Sequence, residues 1–281
     1  MRFLRNLFLG VSLVMLGACG GSGGEADNND ANTLPALGPV GGIATTNYEV
    51  NKTFLSQLIP DLDLASAGNV SQGEQLFMAN WVTAPSSREL FDGLGPLFIA
   101  DSCAACHLPT ARAKALNSDG STDKGILFRL LDREGIADAH LGVQFQNQAT
   151  TGSAEGSVLW REKPAGGLEF YLSDSSSLVE DKTQLAPRLS PQLYGVGLLA
   201  LVDEAQIADW ADEYDINKDG ISGRVHWLAS GDTECIGRFG WKAIHCSLTS
   251  QVGGAFNQDM GLTSTLFPDE NCASGQSVCS D

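Results

Sequence analysis

Capping signals along the chain predict three helices. Ser71 with Glu74, and Ser86 with Glu89, have the spacing of a capping box before apolar residues, and each pair predicts a helix that begins there. Asp203 is a favourable N-cap and predicts the start of a third helix. The apolar stripe of this helix recurs at helical spacing through Ile207, Trp210, Ala211 and Tyr214.

Other segments have the patterns of strands or loops. Apolar and polar residues alternate over 141–146, which is typical of a half-buried strand. Residues 126–131 form an apolar run, and 168–172 is a further candidate strand. The stretch from 220 to the end is rich in glycine and typical of loops. Together these patterns predict a mainly α fold with short strands and long loops, and they do not support a doubly wound sheet.

The N-terminus has the pattern of an export signal. Arg2 and Arg5 precede the apolar run Leu7–Leu16, which is too short for a confident membrane span. Cys19 follows directly after small residues, as in the bacterial lipoprotein box, where the cysteine becomes the lipid-bearing first residue. The alternative is an ordinary signal peptide with a chance cysteine.

These features divide the chain into three predicted parts. They are a signal peptide at 1–18, a lipid-anchored flexible tether at 19–47, and one folded domain at 48–281. A hydrophobic content of 43% with 18% charged residues is enough for a globular core. The predicted location is the periplasmic side of a bacterial membrane, with a lipid anchor as the membrane contact.

The net charge limits the partners. The formal charge is -17 and the isoelectric point is about 4.4. Such a surface repels phosphate backbones, so nucleic acid is a poor partner, whereas a basic partner or a small neutral substrate is easier to accommodate.

The strongest chemical signal is the sequence Cys103-Ala104-Ala105-Cys106-His107. Two thiols at this spacing can form thioethers with the two vinyl groups of one haem, with the adjacent histidine as an axial iron ligand. A thioredoxin-like pair needs a βαβ setting, and a zinc site needs a second CxxC or two spaced histidines; the sequence has neither. The sequence therefore predicts one haem c in a cytochrome c-like domain.

The sixth iron ligand is open in the sequence. The candidates are Met78, Met260, His140, His226 and His245. Met260 is predicted to lie in a polar, glycine-flanked loop, which is unusual for a core methionine, and is the first choice. An unfilled sixth position, which would let peroxide bind, is the alternative.

The remaining four cysteines are even in number and suit two disulfides in an exported protein. Cys235–Cys246 with Cys272–Cys279 is the local pairing among three possible ones.

A second candidate metal site lies in 215–220. Asp215, Asn217 and Asp219 alternate before Gly220, as at the start of a calcium loop, but His226 stands where the bidentate glutamate is expected. The alternative is a solvated Asx turn.

Five ordered stretches between about residues 70 and 272 together resemble one family. They are DGLGPLFIADSCAACH at 92–107, PRLSPQLYGVGLL at 187–199, DGISGR at 219–224, GRFGWKA at 237–243 and GAFNQDMGLTSTLFP at 254–268. The set resembles the bacterial di-haem oxidoreductases, described as peroxidases or thiol oxidoreductases and related to the di-haem cytochrome c peroxidases.

The resemblance implies roles for further residues. Met260 matches the Asp-Met-Gly stretch of the family, and Gln146 and Glu155 are the implied polar residues beside the haem. The chain lacks the second CxxCH of the family, so the expectation is one haem, in a carrier, a split protein or a truncated product.

Three functions are left open by the sequence. The first is electron transfer with a redox partner such as another cytochrome. The second is a peroxidase-like oxidoreductase whose second haem comes from another chain. The third is a non-catalytic remnant.

Overall fold

The computed structural model describes residue 58 and residues 62–108, 113–173, 179–230, 233–273 and 276–279. The predicted signal peptide, Cys19 and the tether lie outside them. Within the described residues, five α-helices accompany eight β-strands, which pair two by two into four antiparallel sheets. The prediction of a mainly α fold is therefore wrong. Only two of these helices exceed six residues, because most apolar runs alternate with a period of two.

The helices and strands have the following bounds. The helices are α1 (Leu64–Met78), α2 (Cys103–Cys106), α3 (Val196–Ala200), α4 (Glu204–Asp209) and α5 (Leu248–Met260). The strands are β1 (Leu97–Phe98), β2 (Ile126–Leu131), β3 (Gln148–Ala149), β4 (Val158–Glu162), β5 (Leu168–Leu172), β6 (Gln184–Leu189), β7 (Trp227–Ser230) and β8 (Thr233–Ile236). The pairs are β1–β3, β2–β6, β4–β5 and β7–β8. No helix in the described ranges is long and apolar enough to span a membrane.

The first helix begins earlier than the sequence predicted. Its N-cap is Asp63, whose carboxylate accepts the N–H groups of Ala65 and Ser66 at 2.9 Å. The capping box at Ser71 is therefore wrong, since that residue lies inside the helix. The second predicted helix is also wrong: only a 3-10 turn over Glu89–Phe91 forms there.

The hydrophobic core lies on one face of the β2–β6 pair. Ile126, Phe128 and Leu130 alternate with less buried residues along β2, as a half-buried strand requires. The aromatic ring of Phe128 meets that of Phe170 on β5 with the ring centroids 5.1 Å apart. The predicted strand 168–172 is confirmed as β5, and the apolar run 126–131 forms β2.

The predicted strand at 141–146 is wrong. Leu141 and Phe145 are buried, but Val143 between them is exposed. Gly142 adopts a φ of 76°, which interrupts the extended backbone. Only single bridges form here, including one between Gln144 and Arg129, so this loop lies beside β2 without joining it as a strand.

The C-terminal part holds more helix than the sequence predicted. Asp203 caps α4 as predicted, but this helix ends at Asp209, so Trp210 and Tyr214 lie beyond it and are exposed. The stretch predicted as loop contains α5, which is capped by the hydroxyl of Ser247 and ended by Gly261 in the left-handed conformation.

Candidate functional site

The predicted haem motif forms a single helical turn. Ser102 is its N-cap residue, and the N–H of His107 donates to the carbonyl of Cys103 at 2.9 Å. Cys103 and Cys106 lie one turn apart, are half-buried and remain free thiols. A helical turn places two thiols at this spacing on the same side, which two attachment points on one ligand require.

A long-range hydrogen bond fixes the imidazole of His107. Its Nδ1 lies 2.8 Å from the carbonyl oxygen of Pro191. A carbonyl oxygen only accepts, so Nδ1 carries the proton and Nε2 keeps its lone pair. This is the tautomer that a metal-bound histidine needs, with the second nitrogen oriented by a carbonyl. The contact joins two of the sequence motifs, 92–107 and 187–199.

The two thiols are held in the protonated form. The Sγ of Cys106 donates to the carbonyl of Lys124 at 2.9 Å. Burial raises the pKa of Cys106 to about 12, and the negative charge of Asp259 adds to this effect. Burial and Asp259 also raise the pKa of Cys103. Both groups are therefore neutral thiols at physiological pH, with Asp259 close enough to affect them.

The face of β2–β6 opposite the core borders this site. The register pairs Leu127 with Arg188, so the two share this face, and Arg129 follows Leu127 at the same parity. Ser190, at the next matching position, hydrogen-bonds to Cys106. Burial lowers the pKa of Arg129, the nearby Asp259 raises it and Arg188 lowers it.

Arg129 is a residue that the sequence reasoning missed. It is the only charge in the run Ile-Leu-Phe-Arg-Leu-Leu of β2. A lone arginine at the outward parity of a core strand is the signal that would have identified it, because buried guanidinium groups require an anionic partner.

An amide network links this face to the end of α5. The Nε2 of Gln144 donates to the carbonyl of Gln258 and to the carboxylate of Asp259, both at 2.8 Å. The Nε2 of Gln146 donates to the same carbonyl of Gln258 at 2.8 Å. Burial raises the pKa of Asp259, while the Gln144 donor, Arg129 and His107 lower it. The side chain of Asp259 is therefore held by one hydrogen-bond donor, the amide of Gln144, and its charge is favoured by Arg129 and His107.

Glu155 is buried at the far side of this network, with 5% of its surface exposed. Its Oε2 accepts the N–H of Gln146 and its Oε1 accepts the Nε2 of Gln276, both at 2.6 Å. Burial raises its pKa to about 7, against these two donors. A carboxyl group that titrates near neutrality is suited to proton transfer.

Met260 is not in a loop, contrary to the reason for which it was chosen. It is the last residue of α5 and is 3% exposed. Its carbonyl accepts the N–H of Gly95 at 3.0 Å, and the carbonyl of Asp259 accepts that of Ile99 at 2.8 Å. The end of α5 is thus joined to the segment before the haem motif. Met260 as sixth ligand stays a prediction.

The other candidate ligands differ in their surroundings. Met78 and His140 are exposed. The Nδ1 of His226 lies 3.1 Å from the carbonyl of Lys242. The Nδ1 of His245 lies 2.8 Å from the hydroxyl of Ser250. Burial and the nearby Arg129 lower the pKa of His245, which places its imidazole near the same face of β2.

The remaining cysteines form two disulfides. The structure links Cys235 to Cys246 and Cys272 to Cys279, with Cα–Cα distances of 6.0 and 6.1 Å. This is the local pairing among the three possibilities. The first bridge closes the loop with the GRFGWKA motif, and the second closes the segment that brings Gln276 to the buried carboxylate.

The predicted calcium loop forms a hydrogen-bonded turn. The carboxylate of Asp215 accepts the N–H of Gly220, and that of Asp219 accepts the N–H of Ile221 at 2.8 Å. The amide oxygen of Asn217 accepts the N–H of Asp219 at 2.9 Å. Across the described part of the chain, no group of three or more His, Cys, Asp or Glu side chains could hold a metal ion. The bonds present are those of an Asx turn.

The residues at 103–107 have the chemistry of one kind of cofactor site. A CxxCH turn with free thiols and an imidazole whose Nε2 is available fits a covalently attached haem. Residues 169–280 match the family described as "Di-haem oxidoreductase, putative peroxidase". The predicted resemblance to the di-haem oxidoreductases is confirmed over these residues, and a haem-related oxidoreductase is the function that the match supports. The match spans less than half of the chain and does not include 103–107.

No curated protein and no solved structure matches the chain significantly.

Proposed function

We propose that this chain is a c-type haem protein that transfers electrons. Cys103 and Cys106 attach one haem covalently, and His107 is an axial ligand of its iron. The haem supplies one-electron redox chemistry when bound. The chain's own residues hold and orient the group, and the charges of Arg129 and Asp259 adjust the electrostatic potential around it.

The observation that carries the proposal is the bond between His107 and Pro191. It leaves Nε2 as the available nitrogen and fixes the plane of the ring. The carbonyl of Pro191 lies 84 residues away in the sequence, so the folded chain and not the local turn orients the imidazole. The free half-buried thiols one turn before it supply the attachment points.

The absorption spectrum tests this proposal. The protein is produced with and without haem-maturation machinery, and the expected result is a c-type spectrum that survives denaturation only in the first case. His107→Ala is expected to change the absorption spectrum of the attached haem, because it removes the proposed axial ligand of the iron. His140→Ala is the matched control at an exposed histidine and is expected to leave the spectrum unchanged. A chain that acquires no haem under these conditions contradicts the proposal.

A peroxidase-like activity is the second candidate, and Glu155 is the observation that favours it. Its buried carboxyl group titrates at about 7 and is joined through Gln146 to the carbonyl beside Asp259. In this function Glu155 moves a proton and the amide of Gln146 orients it. Peroxide turnover with a reduced cytochrome tests this function. Glu155→Gln is expected to abolish turnover, and equal turnover in the two proteins contradicts it.

We further propose a lipid anchor at Cys19 and a location on the periplasmic side of the membrane. The support is the sequence pattern at 1–19 alone. The partner is a basic redox protein such as another cytochrome, because the formal charge is -17. Membrane fractionation of Cys19→Ser against the unchanged chain tests the anchor, and equal membrane association of both contradicts it.

Calcium binding at 215–219 stays a prediction. Thermal unfolding with added calcium measures it, and an unchanged melting temperature ends the idea.

A further inference from the structure

A cleft lies on the core side of the β2–β6 pair. Its volume is about 540 Å³, within the range of about 300–1,000 Å³ typical of small-molecule sites. Most of its lining is apolar, and Ile126, Leu189 and Phe170 form part of its wall. Ile126 belongs to the hydrophobic core and Phe170 packs against it, while Leu189 is paired with Ile126 in the strand register, so this wall is held by the fold.

Another part of the lining is a turn that carries Trp241 and is held by two hydrogen bonds and a disulfide. Trp241 lines the cleft with 62% of its surface exposed, and its Nε1 donates to the carbonyl of Leu189 at 2.7 Å. The carbonyl of Lys242 lies 3.1 Å from the Nδ1 of His226. The Cys235–Cys246 disulfide closes the loop that carries this turn. An exposed indole is thereby held in place beside an apolar wall.

The charge at the cleft contrasts with the rest of the protein. Arg188 and Lys242 both line it, and no lining residue is acidic. Among the described residues, neither forms an ion pair. In a chain with 17 basic and 34 acidic residues, two cations without a paired acid beside an apolar wall indicate an anionic ligand.

Most strand residues of the cleft belong to the face of β2 and β6 opposite the one that borders the haem motif; Arg188 is the exception. Ile126 and Leu189 are paired in the register and point to the core side, where the cleft is. Ser190 has the opposite parity and bonds to Cys106. Arg188 has the parity of Ser190, so the cleft is centred on the core side and reaches the edge of the other face at this residue.

We propose that this cleft binds a planar apolar anion of the aromatic carboxylate class. The ring lies against Trp241 and the apolar wall, and the carboxylate pairs with the cation of Lys242. The site does not depend on the proposed haem. It adds a small-molecule ligand that haem attachment does not require.

Isothermal titration of the full chain with 2-naphthoate tests the proposal, using protein with and without haem. Saturable binding to both forms is expected, and the uncharged 2-naphthalenemethanol is expected to bind more weakly. Lys242→Gln weakens binding about two- to fivefold, the usual effect of an exposed ion pair. Arg133→Gln, which removes an equal charge beyond the opposite end of β2, leaves it unchanged.

Each outcome decides the matter. Equal affinity for the acid and the alcohol, or equal loss in the Lys242 and Arg133 variants, overturns the proposal. Binding that disappears when haem is attached also overturns it, because the cleft would then be part of the haem site. If no haem attaches but 2-naphthoate binds as expected, the haem proposal fails and this one stands. Thermal unfolding of each variant shows whether it is folded, and the comparison of acid with alcohol needs no variant.

Discussion

The buried carboxyl group of Glu155 predicts an unusual dependence of stability on pH. Its pKa rises from 4.5 in the unfolded chain to about 7 in the folded protein, chiefly because burial disfavours the charged form. The folded state therefore holds this proton more tightly than the unfolded state. The stabilisation is fully present below pH 4.5 and is lost as the pH rises through about 7.

The size of the effect follows from the two pKa values. A rise from 4.5 to about 7 corresponds to about 3 kcal/mol of unfolding free energy. Because only 5% of the residue is exposed, screening by solvent reduces this value little. The unchanged protein is therefore expected to lose about 2.5 kcal/mol more between pH 5 and pH 8 than a variant without the titrating group, since part of the loss occurs outside this range.

Urea unfolding of the unchanged chain and of Glu155→Gln at several pH values measures this difference. The variant loses an acceptor for Gln146 or Gln276, which costs about 1 kcal/mol at every pH, so the two slopes are compared and not the absolute values. Glu134→Gln, at an exposed position, is the control. If Glu155→Gln and the unchanged chain have the same slope, the carboxyl group does not titrate as described here.

Three further predictions concern single contacts. Arg129→Gln is expected to lower the reduction potential of the attached haem, since it removes a cation near Asp259 and the haem motif. An unchanged potential in a redox titration contradicts this placement of Arg129. Joint replacement of Cys272 and Cys279 by alanine lowers the unfolding free energy by about 2–3 kcal/mol, as expected for a short closed loop, and a smaller loss in urea unfolding contradicts it. Gly261→Ala costs about 1 kcal/mol or more, because the residue has a φ of 67° and a Cβ would lie 2.8 Å from the Cα of Gly95; an unchanged melting temperature argues against this tight approach.

The sequence predicted the residues of the haem motif, but not the distant residues that contact them in the folded protein. The CxxCH motif and the apolar runs that form the short strands β2 and β5 are recognised from residues close together in the sequence, and their local structure depends on that spacing. The carbonyl that orients His107 belongs to Pro191, and no local pattern encodes which distant carbonyl an imidazole meets. The partner of Arg129, Asp259, lies on another element and was unreadable in the same way, although the lone charge in the apolar run of β2 was a local signal for Arg129 itself.

The predictions for individual elements were wrong where other contacts outweigh a local pattern. The capping box at Ser71 has the right letters, but Asp63 caps the same helix earlier. Glycines at 253 and 254 made α5 look like a loop, yet the helix forms because Gly254, Asn257 and Met260 recur at helical spacing on its buried side. Glu155, which would ordinarily be exposed in a loop, is buried because the segment closed by the second disulfide brings Gln276 to its carboxylate.

Mass spectrometry of the peptide that contains Cys103 and Cys106 tests the central claim most directly. Protein produced with haem-maturation machinery is denatured, treated with an alkylating reagent and digested. The predicted result is one peptide that carries the mass of one haem and no alkyl group on either cysteine. The same peptide from the double variant Cys103→Ala, Cys106→Ala is expected to carry no haem. A peptide with two alkylated cysteines and no haem would show that the motif does not attach the cofactor.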